Sequence, residues 1–211
     1  MVDDVMYGRQ AKLGLHPPTQ ATIIGCGGVG SWVAIDLAMV GVKELHLFDD
    51  DVIEVHNLNR LPFGENSIGK PKTETLKKFI KKMRPRTKIM MHGRFSSITQ
   101  YLLTGPVVDC TDKLSVQTQI QTACTKLKNR YYRVGYDGHH ITVIDGSHID
   151  APKAAAVWDD GSGQEGYTIV DSWVIPPQIA AAMLTTIVCD GHGSCPPIQD
   201  DVVRLTRNNR R

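Results

Sequence analysis

The run Ala21-Thr-Ile-Ile-Gly-Cys-Gly-Gly-Val-Gly30 constrains this chain more than any other stretch. Thr22-Ile23-Ile24 is a short apolar strand signal, and it runs into the pattern G-x-G-G-x-G formed by Gly25, Gly27, Gly28 and Gly30. Ser31 to Val40 continue as a helix. Strand, glycine turn and helix together make a phosphate cradle. The glycines let the backbone turn tightly and approach phosphate oxygens, and the helix start offers free N–H groups with a partial positive charge. The pattern leaves open which nucleotide is bound and what is done to it.

The remaining chain alternates strands with helices. Strand signals fall at about 21–25, 44–49, 86–92, 107–110, 130–136 and 140–144, and a seventh at 168–175. Helices are expected at about 28–41, 70–83, 96–103, 111–128 and 178–189, with a hairpin turn at Asp137-Gly138. This order implies an α/β fold, a doubly wound, Rossmann-like and mostly parallel sheet with helices on both faces and a late antiparallel portion. With the strand order 3-2-1-4, the glycine loop and the turn Asp109-Cys110-Thr111-Asp112 share one crevice at the topological switch point. Residues 1–20 read as an arm, because Pro17-Pro18 discourage regular structure. Residues 21–200 read as one domain and 201–211 as a basic tail. Residues 146–168, rich in Gly, Asp and Ser, read as a mobile loop.

Charged residues then narrow the nucleotide. Asp49 ends the second strand, where an acid hydrogen-bonds ribose hydroxyls in many dinucleotide folds; this suits NAD or ATP equally. Asn57, Arg60 and Gly69-Lys70-Pro71-Lys72 follow, and Asp112 stands at the switch point. Cations plus a carboxylate suited to Mg²⁺ fit cleavage of a triphosphate better than hydride transfer. No pattern marks a hydride site.

GCGGVG, FDDD, NLNR, GKPK and DCTD, in this order over about residues 7–145, resemble the ThiF/MoeB/HesA family, bacterial relatives of the ubiquitin-activating (E1) enzymes. Tyr7-Gly8-Arg9-Gln10 resembles the family's N-terminal R-Y-x-R-Q arm. The resemblance implies an adenylyltransferase, one that uses Mg·ATP to activate the C-terminal carboxylate of a small ubiquitin-like protein or peptide, typically ending in Gly-Gly. It implies that Asp49 holds the ribose, that Arg60, Lys72 and Asn57 hold phosphates, and that Asp112 holds Mg²⁺. It also implies a homodimer in which Arg9 reaches the other subunit's site.

The chain departs from the family in three ways. It lacks the paired C-x-x-C motifs that bind a structural zinc; Cys189, His192 and Cys195 fall one ligand short of a closed tetrahedral site, so zinc is not expected. Residues 138–175 contain no cysteine, which points to adenylation without a thioester stage. Leu61 stands where a glutamine usually follows the arginine. A catalytically degenerate subunit that binds nucleotide or partner without turnover is the alternative. A net charge of +2 gives no reason to expect nucleic-acid binding, and no apolar run suggests a membrane span. Five irregularly spaced cysteines and the lack of a signal-peptide pattern fit the cytoplasm.

Overall fold

A computed structural model describes residues 2–146, 172–190 and 198–201. In chain order the elements are α1 (Val2–Ala11), β1 (Gln20–Ile24), α2 (Gly28–Met39), β2 (Glu44–Phe48), α3 (Lys72–Met83), β3 (Lys88–His92), β4 (Val107–Asp109), α4 (Leu114–Leu127), β5 (Tyr131–Asp137), β6 (His140–Asp145), α5 (Ile175–Asp190) and β7 (Ile198–Asp201). Single 3₁₀ turns occupy Val55–Asn57, Glu65–Ser67 and Gln100–Leu102.

The seven strands form one sheet in the order β3-β2-β1-β4-β5-β6-β7. The first five are parallel, with Ile24 beside Phe48 on one side and Asp109 on the other. The two pairs at the far edge are antiparallel, with Asp137 opposite His140 across a two-residue hairpin. The switch point lies between β1 and β4, as expected, because the chain leaves β1 toward β2 and leaves β4 toward β5.

Side-chain alternation sends Ile23, Leu45, Leu47, Val108, Tyr132 and Val134 to one face, where α2, α3 and α5 cover them. Helix α2 is apolar on nearly all sides; Val33, Ala34, Leu37 and Ala38 have no exposed surface, since α5 lies against it as well as the sheet. Each such fully buried Leu or Val contributes about 1.5–3 kcal/mol. The opposite face carries a smaller cluster, with Ile24, Phe48, Phe95, Val107 and Tyr131 under Ile120, Ala123 and Cys124 of α4.

The N-terminal segment differs from expectation. Residues 2–11 form a helix, and tertiary contacts hold it. Asp3 pairs with Lys43 at 2.9 Å and Arg86 at 3.3 Å, Gln10 donates to the Val40 carbonyl at 2.7 Å, and the Tyr7 ring packs on Gly41. The prolines lie after this helix and do not interrupt it. Helix α4 begins at Leu114 rather than 111, which leaves Thr111-Asp112 in a turn. The expected short helix at 96–103 is reduced to a 3₁₀ turn. Helix α5 begins at Ile175, so the end of the expected seventh strand is helical, while its residues 168–171 lie outside the described residues. Residues 147–168 of the expected loop, His192, Cys195 and residues 202–211 of the expected basic tail also lie outside them. Among the described residues no helix is long and apolar enough to cross a membrane.

Candidate active site

The parallel strands end on one side, and their last residues and the loops that follow enclose a cavity of about 450 Å³. Its lining includes Gly25, Gly27 and Gly28 after β1, Asp49 to Asp51 after β2, and Cys110 to Lys113 after β4. Gln117 of α4 and Arg133 to Tyr136 of β5 complete it, with Arg60, Lys72 and Arg94 supplied by loops. Arg60, Lys72, Asp112 and Asp49, scattered over more than 60 residues of sequence, thus meet around the glycine loop.

The loop geometry follows from its glycines. Gly25 has φ +89°, a left-handed conformation, and a Cβ there would lie 2.9 Å from the Cys110 carbonyl oxygen. Gly30 does not line the cavity. It lies in the first turn of α2, where a Cβ would fall 1.8 Å from the Gly25 carbonyl oxygen, so it serves to bring helix and loop together. The Ser31 hydroxyl donates to the Cys26 carbonyl at 2.9 Å and fixes the same approach.

Asp49 is anchored from both sides. Its Oδ2 accepts the Cys26 N–H at 2.7 Å and its Oδ1 the Asp51 N–H at 2.8 Å. Burial pushes its carboxyl up, while the Lys72 charge and these two N–H groups pull it back. Lys72, at the first position of α3, lies largely buried with its Nζ 2.7 Å from Asp51 Oδ2. Arg94 pairs with Asp50 at 3.1 Å. The oxygens of Asp49, Asp50 and Asp51 lie within 4.8 Å of one another, yet each carboxylate already has an N–H or a cation as partner.

Asp112 is exposed on the cavity wall, and its carboxylate has no ion pair or hydrogen bond among the described residues. It does not cap α4, whose N-cap is Lys113. A carboxylate free of protein partners beside cations is the donor that a magnesium ion carrying phosphates and waters takes, so the residues present fit that metal at Asp112. Beneath it Asp109 is completely buried. Its Oδ1 accepts the Thr111 N–H at 2.9 Å and hydroxyl at 2.7 Å, and its Oδ2 accepts the Tyr131 hydroxyl at 2.9 Å. Burial pushes this carboxyl up as well, opposed by those bonds and by the charge of Arg133.

Arg60 reaches the cavity along Gly28, its Cδ 3.1 Å from where a Cβ would stand, and its Nη1 donates to the His56 carbonyl at 2.7 Å. The Trp32 indole donates to the Arg60 carbonyl at 3.0 Å and holds that backbone against α2. Leu61 is buried and turned from the cavity lining. The structure does not bring Asn57 to the cavity. Asn57 is buried, and its Oδ1 accepts the Glu54 N–H at 3.0 Å in a reciprocal cap of the 3₁₀ turn. Arg9 also lies elsewhere. Helix α1 docks against Val40 to Lys43 and Arg86, which precede β2 and β3, at the end of the sheet opposite the cavity. Gln117, Arg94, Arg133 and Tyr136 line the cavity without having been singled out by sequence. Only the position of Arg133 in a strand following the DCTD segment could have drawn attention to it.

The four cysteines among the described residues are not poised for nucleophilic chemistry. Burial pushes the thiols of Cys26 and Cys110 far above their ordinary value, that of Cys124 to about 12 and that of Cys189 to about 11.

A family model described as the ThiF family matches residues 17–160. The chain is 36% identical over 122 residues to tRNA threonylcarbamoyladenosine dehydratase of Haemophilus influenzae, a match covering 55% of this chain and 47% of that protein. It is 31% identical over 139 residues to the sulfur carrier protein ThiS adenylyltransferase of Escherichia coli, covering 60% and 51%. Ubiquitin-like modifier-activating enzyme 5 of Aedes aegypti is 30% identical over 136 residues, covering 57% and 34%. The matches therefore span about half or less of these curated relatives. In fold, the chain superposes on E. coli MccB crystallised with ATP with a TM-score of 0.66 at 22% identity, over 80% of this chain and 54% of that one. It superposes on PaaA with a TM-score of 0.68 at 17% identity, over 95% and 73%. With its family model spanning the glycine loop, the strand ends and the DCTD turn, the chain belongs to the ThiF family.

Proposed function

We propose that this chain is an adenylyltransferase that uses Mg·ATP to activate the C-terminal carboxylate of a small ubiquitin-like protein or peptide. The observation that carries this reading is the gathering of Asp49, Arg60, Lys72 and Asp112 around a glycine loop at one helix N-terminus. The names of its relatives add support, since they include an adenylyltransferase and a modifier-activating enzyme, and the solved MccB complexes include one with ATP.

Each residue then has a task. Asp49, already fixed by two N–H groups, offers its remaining lone pairs to the ribose hydroxyls. The N–H groups of the glycine loop and the start of α2 receive phosphate oxygens. Arg60 and Lys72 bring positive charge to the phosphates; Lys72 leaves Asp51 only partly, since the two remain adjacent. When bound at Asp112, Mg²⁺ supplies charge compensation for the departing pyrophosphate. The substrate carboxylate attacks the α-phosphorus, so no side-chain nucleophile is needed. Loss of a single cation costs on the order of 3 kcal/mol of barrier by analogy with single-donor losses elsewhere. The raised thiols of the four described cysteines favour release of the acyl-adenylate to an external acceptor without a thioester stage. Arg9 is not among the residues lining its own cavity, which suits a homodimer in which the arm serves the other subunit's site; the cytoplasm is the fitting compartment.

Titration calorimetry with Mg·ATP, followed by ATP–pyrophosphate exchange with peptides ending in Gly-Gly, tests this. Binding that disappears in Lys72→Met, and exchange that falls at least a hundredfold in Asp112→Ala, are expected. Tight Mg·ATP binding without exchange for any adjacent-gene partner would favour the degenerate subunit. Stronger binding of NADH than of Mg·ATP would overturn the reading.

A further inference from the structure

In the sheet β2 and β5 stand on opposite sides of the β1–β4 pair, so Phe48 and Asp49 line the cavity from the β2 side and Arg133, Gly135 and Tyr136 from the β5 side, with Val116 and Gln117 of α4 between them. With the nucleoside held at Asp49, which is the reading this inference rests on, the β5 side is left for the acyl substrate.

Gln117 is 3% exposed. Its Nε2 donates to the Thr111 carbonyl at 2.7 Å, which fixes the orientation of the amide. Its Oε1 is then buried with no hydrogen-bond partner among the described residues. A buried acceptor left without a donor costs about 1–3 kcal/mol, and in a cavity wall it marks a place where a ligand donor belongs.

The position of Gln117 on α4 selects the donor. Gln121, one turn further along the same helix row, donates to the Gly146 carbonyl after β6 at 3.5 Å. Val116, on the neighbouring row, packs with the cluster holding Phe48 and Phe95. Gln117 thus faces the β5 side, away from Asp49. On that side Asp109 is completely buried and its carboxylate is bonded to Thr111 and Tyr131, with the charge of Arg133 also acting on it. A substrate carboxylate can enter without meeting an uncompensated anion. The donor nearest to the carboxyl carbon of a peptide is the N–H of its last residue.

We propose that Gln117 is a specificity-determining residue whose Oε1 accepts the last peptide N–H of the acyl substrate. The site thereby selects an amide-linked terminal residue over an ester-linked or proline terminus, neither of which has that N–H.

Three probes test it by calorimetry. They are 5′-O-sulfamoyladenosine, its N-glycylglycyl derivative, which mimics an acyl-adenylate, and the same derivative with the terminal N–H replaced by an ester oxygen. The native protein is expected to bind the amide at least tenfold more tightly than the ester. Gln117→Leu is expected to bind amide and ester equally and to bind sulfamoyladenosine as the native protein does. Gln117→Asn, which withdraws the acceptor by one methylene, gives a second variant with the same loss of preference should the leucine fail to fold. No preference for the amide in the native protein overturns the proposal. So does an equal loss of sulfamoyladenosine affinity in both variants, which would assign the acceptor to the adenine amino group or to local packing. Failure of sulfamoyladenosine itself to bind the native protein would bring down the adenylation reading along with it.

Discussion

An alanine scan of the glycine loop separates the glycines that fold the chain from those that leave room for a ligand. At Gly30 a Cβ would sit 1.8 Å from the Gly25 carbonyl oxygen. A close carbon–oxygen approach is roughly 3.3 Å, so the start of α2 or the loop must retreat by about 1.5 Å. Neither can do so freely, because Val33, Ala34 and Leu37 are fully buried between sheet and α5. The gain in helix propensity, about 1 kcal/mol, opposes an overpacking cost above the usual 1–3 kcal/mol, so the expected net loss is about 3 kcal/mol. Gly27 is the contrast. A Cβ there meets nothing within 4 Å and its φ of −79° suits any residue. Gly27→Ala should unfold at the native urea midpoint yet lose at least tenfold in Mg·ATP affinity, because the added methyl occupies cavity space. Gly28→Ala falls between them, since its methyl meets Arg60 Cδ and the Tyr136 hydroxyl at 3.1 Å, and side chains can shift. Urea melts and calorimetry on the three variants read both quantities. Native stability in Gly30→Ala, or native ATP affinity in Gly27→Ala, would refute the reasoning.

Asp109→Ala removes the buried acceptor of Thr111 and Tyr131 and a charge that acts on Arg133, for an expected loss of about 3–5 kcal/mol in urea melts. Adding Arg133→Met should recover at least ~1 kcal/mol of it, and strict additivity of the two would show that the charges do not interact. Asp36 offers a pH test: burial raises its carboxyl to about 6 from an ordinary 3.8. The folded chain keeps a proton that the unfolded chain loses between these values, so stability falls as pH rises through that window. Asp36→Asn should therefore be more stable than the native chain by about 1 kcal/mol at pH 7.5, discounting for partial solvent screening, and gain nothing near pH 3.5. An equal gain at both pH values would exclude titration as the cause.

The parts of the site that sequence made legible are those with rigid local chemistry. The glycine loop announces itself by composition, and Asp49 and Asp112 by standing at strand ends, where a doubly wound sheet gathers its loops. Asn57 belongs to a motif as readable as that of Arg60, yet the two side chains leave the same loop in different directions. One caps a 3₁₀ turn and the other passes Gly28, a difference set by tertiary packing. Arg133 sits in a strand whose neighbours, Tyr132 and Val134, read as core; it is buried like them, and only the folded sheet shows that it lines the cavity. Gln117 reads as one polar residue among several in α4; Gln121 is buried as well, and the unpartnered Oε1 is what distinguishes Gln117. Helix α1 lacks an apolar stripe and is held by ion pairs to residues about 40 and 83 positions away, which no local pattern records.

The enclosure of α2 between sheet and α5 bears on how the reaction would be energised. A solvent responds to new charge by turning its dipoles, and that reorientation is part of any barrier in water. The N–H dipoles at the start of α2 have no such freedom, because the helix behind them cannot translate without opening a fully buried layer. Their alignment is fixed when the chain folds and need not be assembled as pyrophosphate departs. Amide exchange along α2 should accordingly be as slow without nucleotide as with it, while the loops bearing Arg60 and Lys72 take up whatever adjustment binding requires.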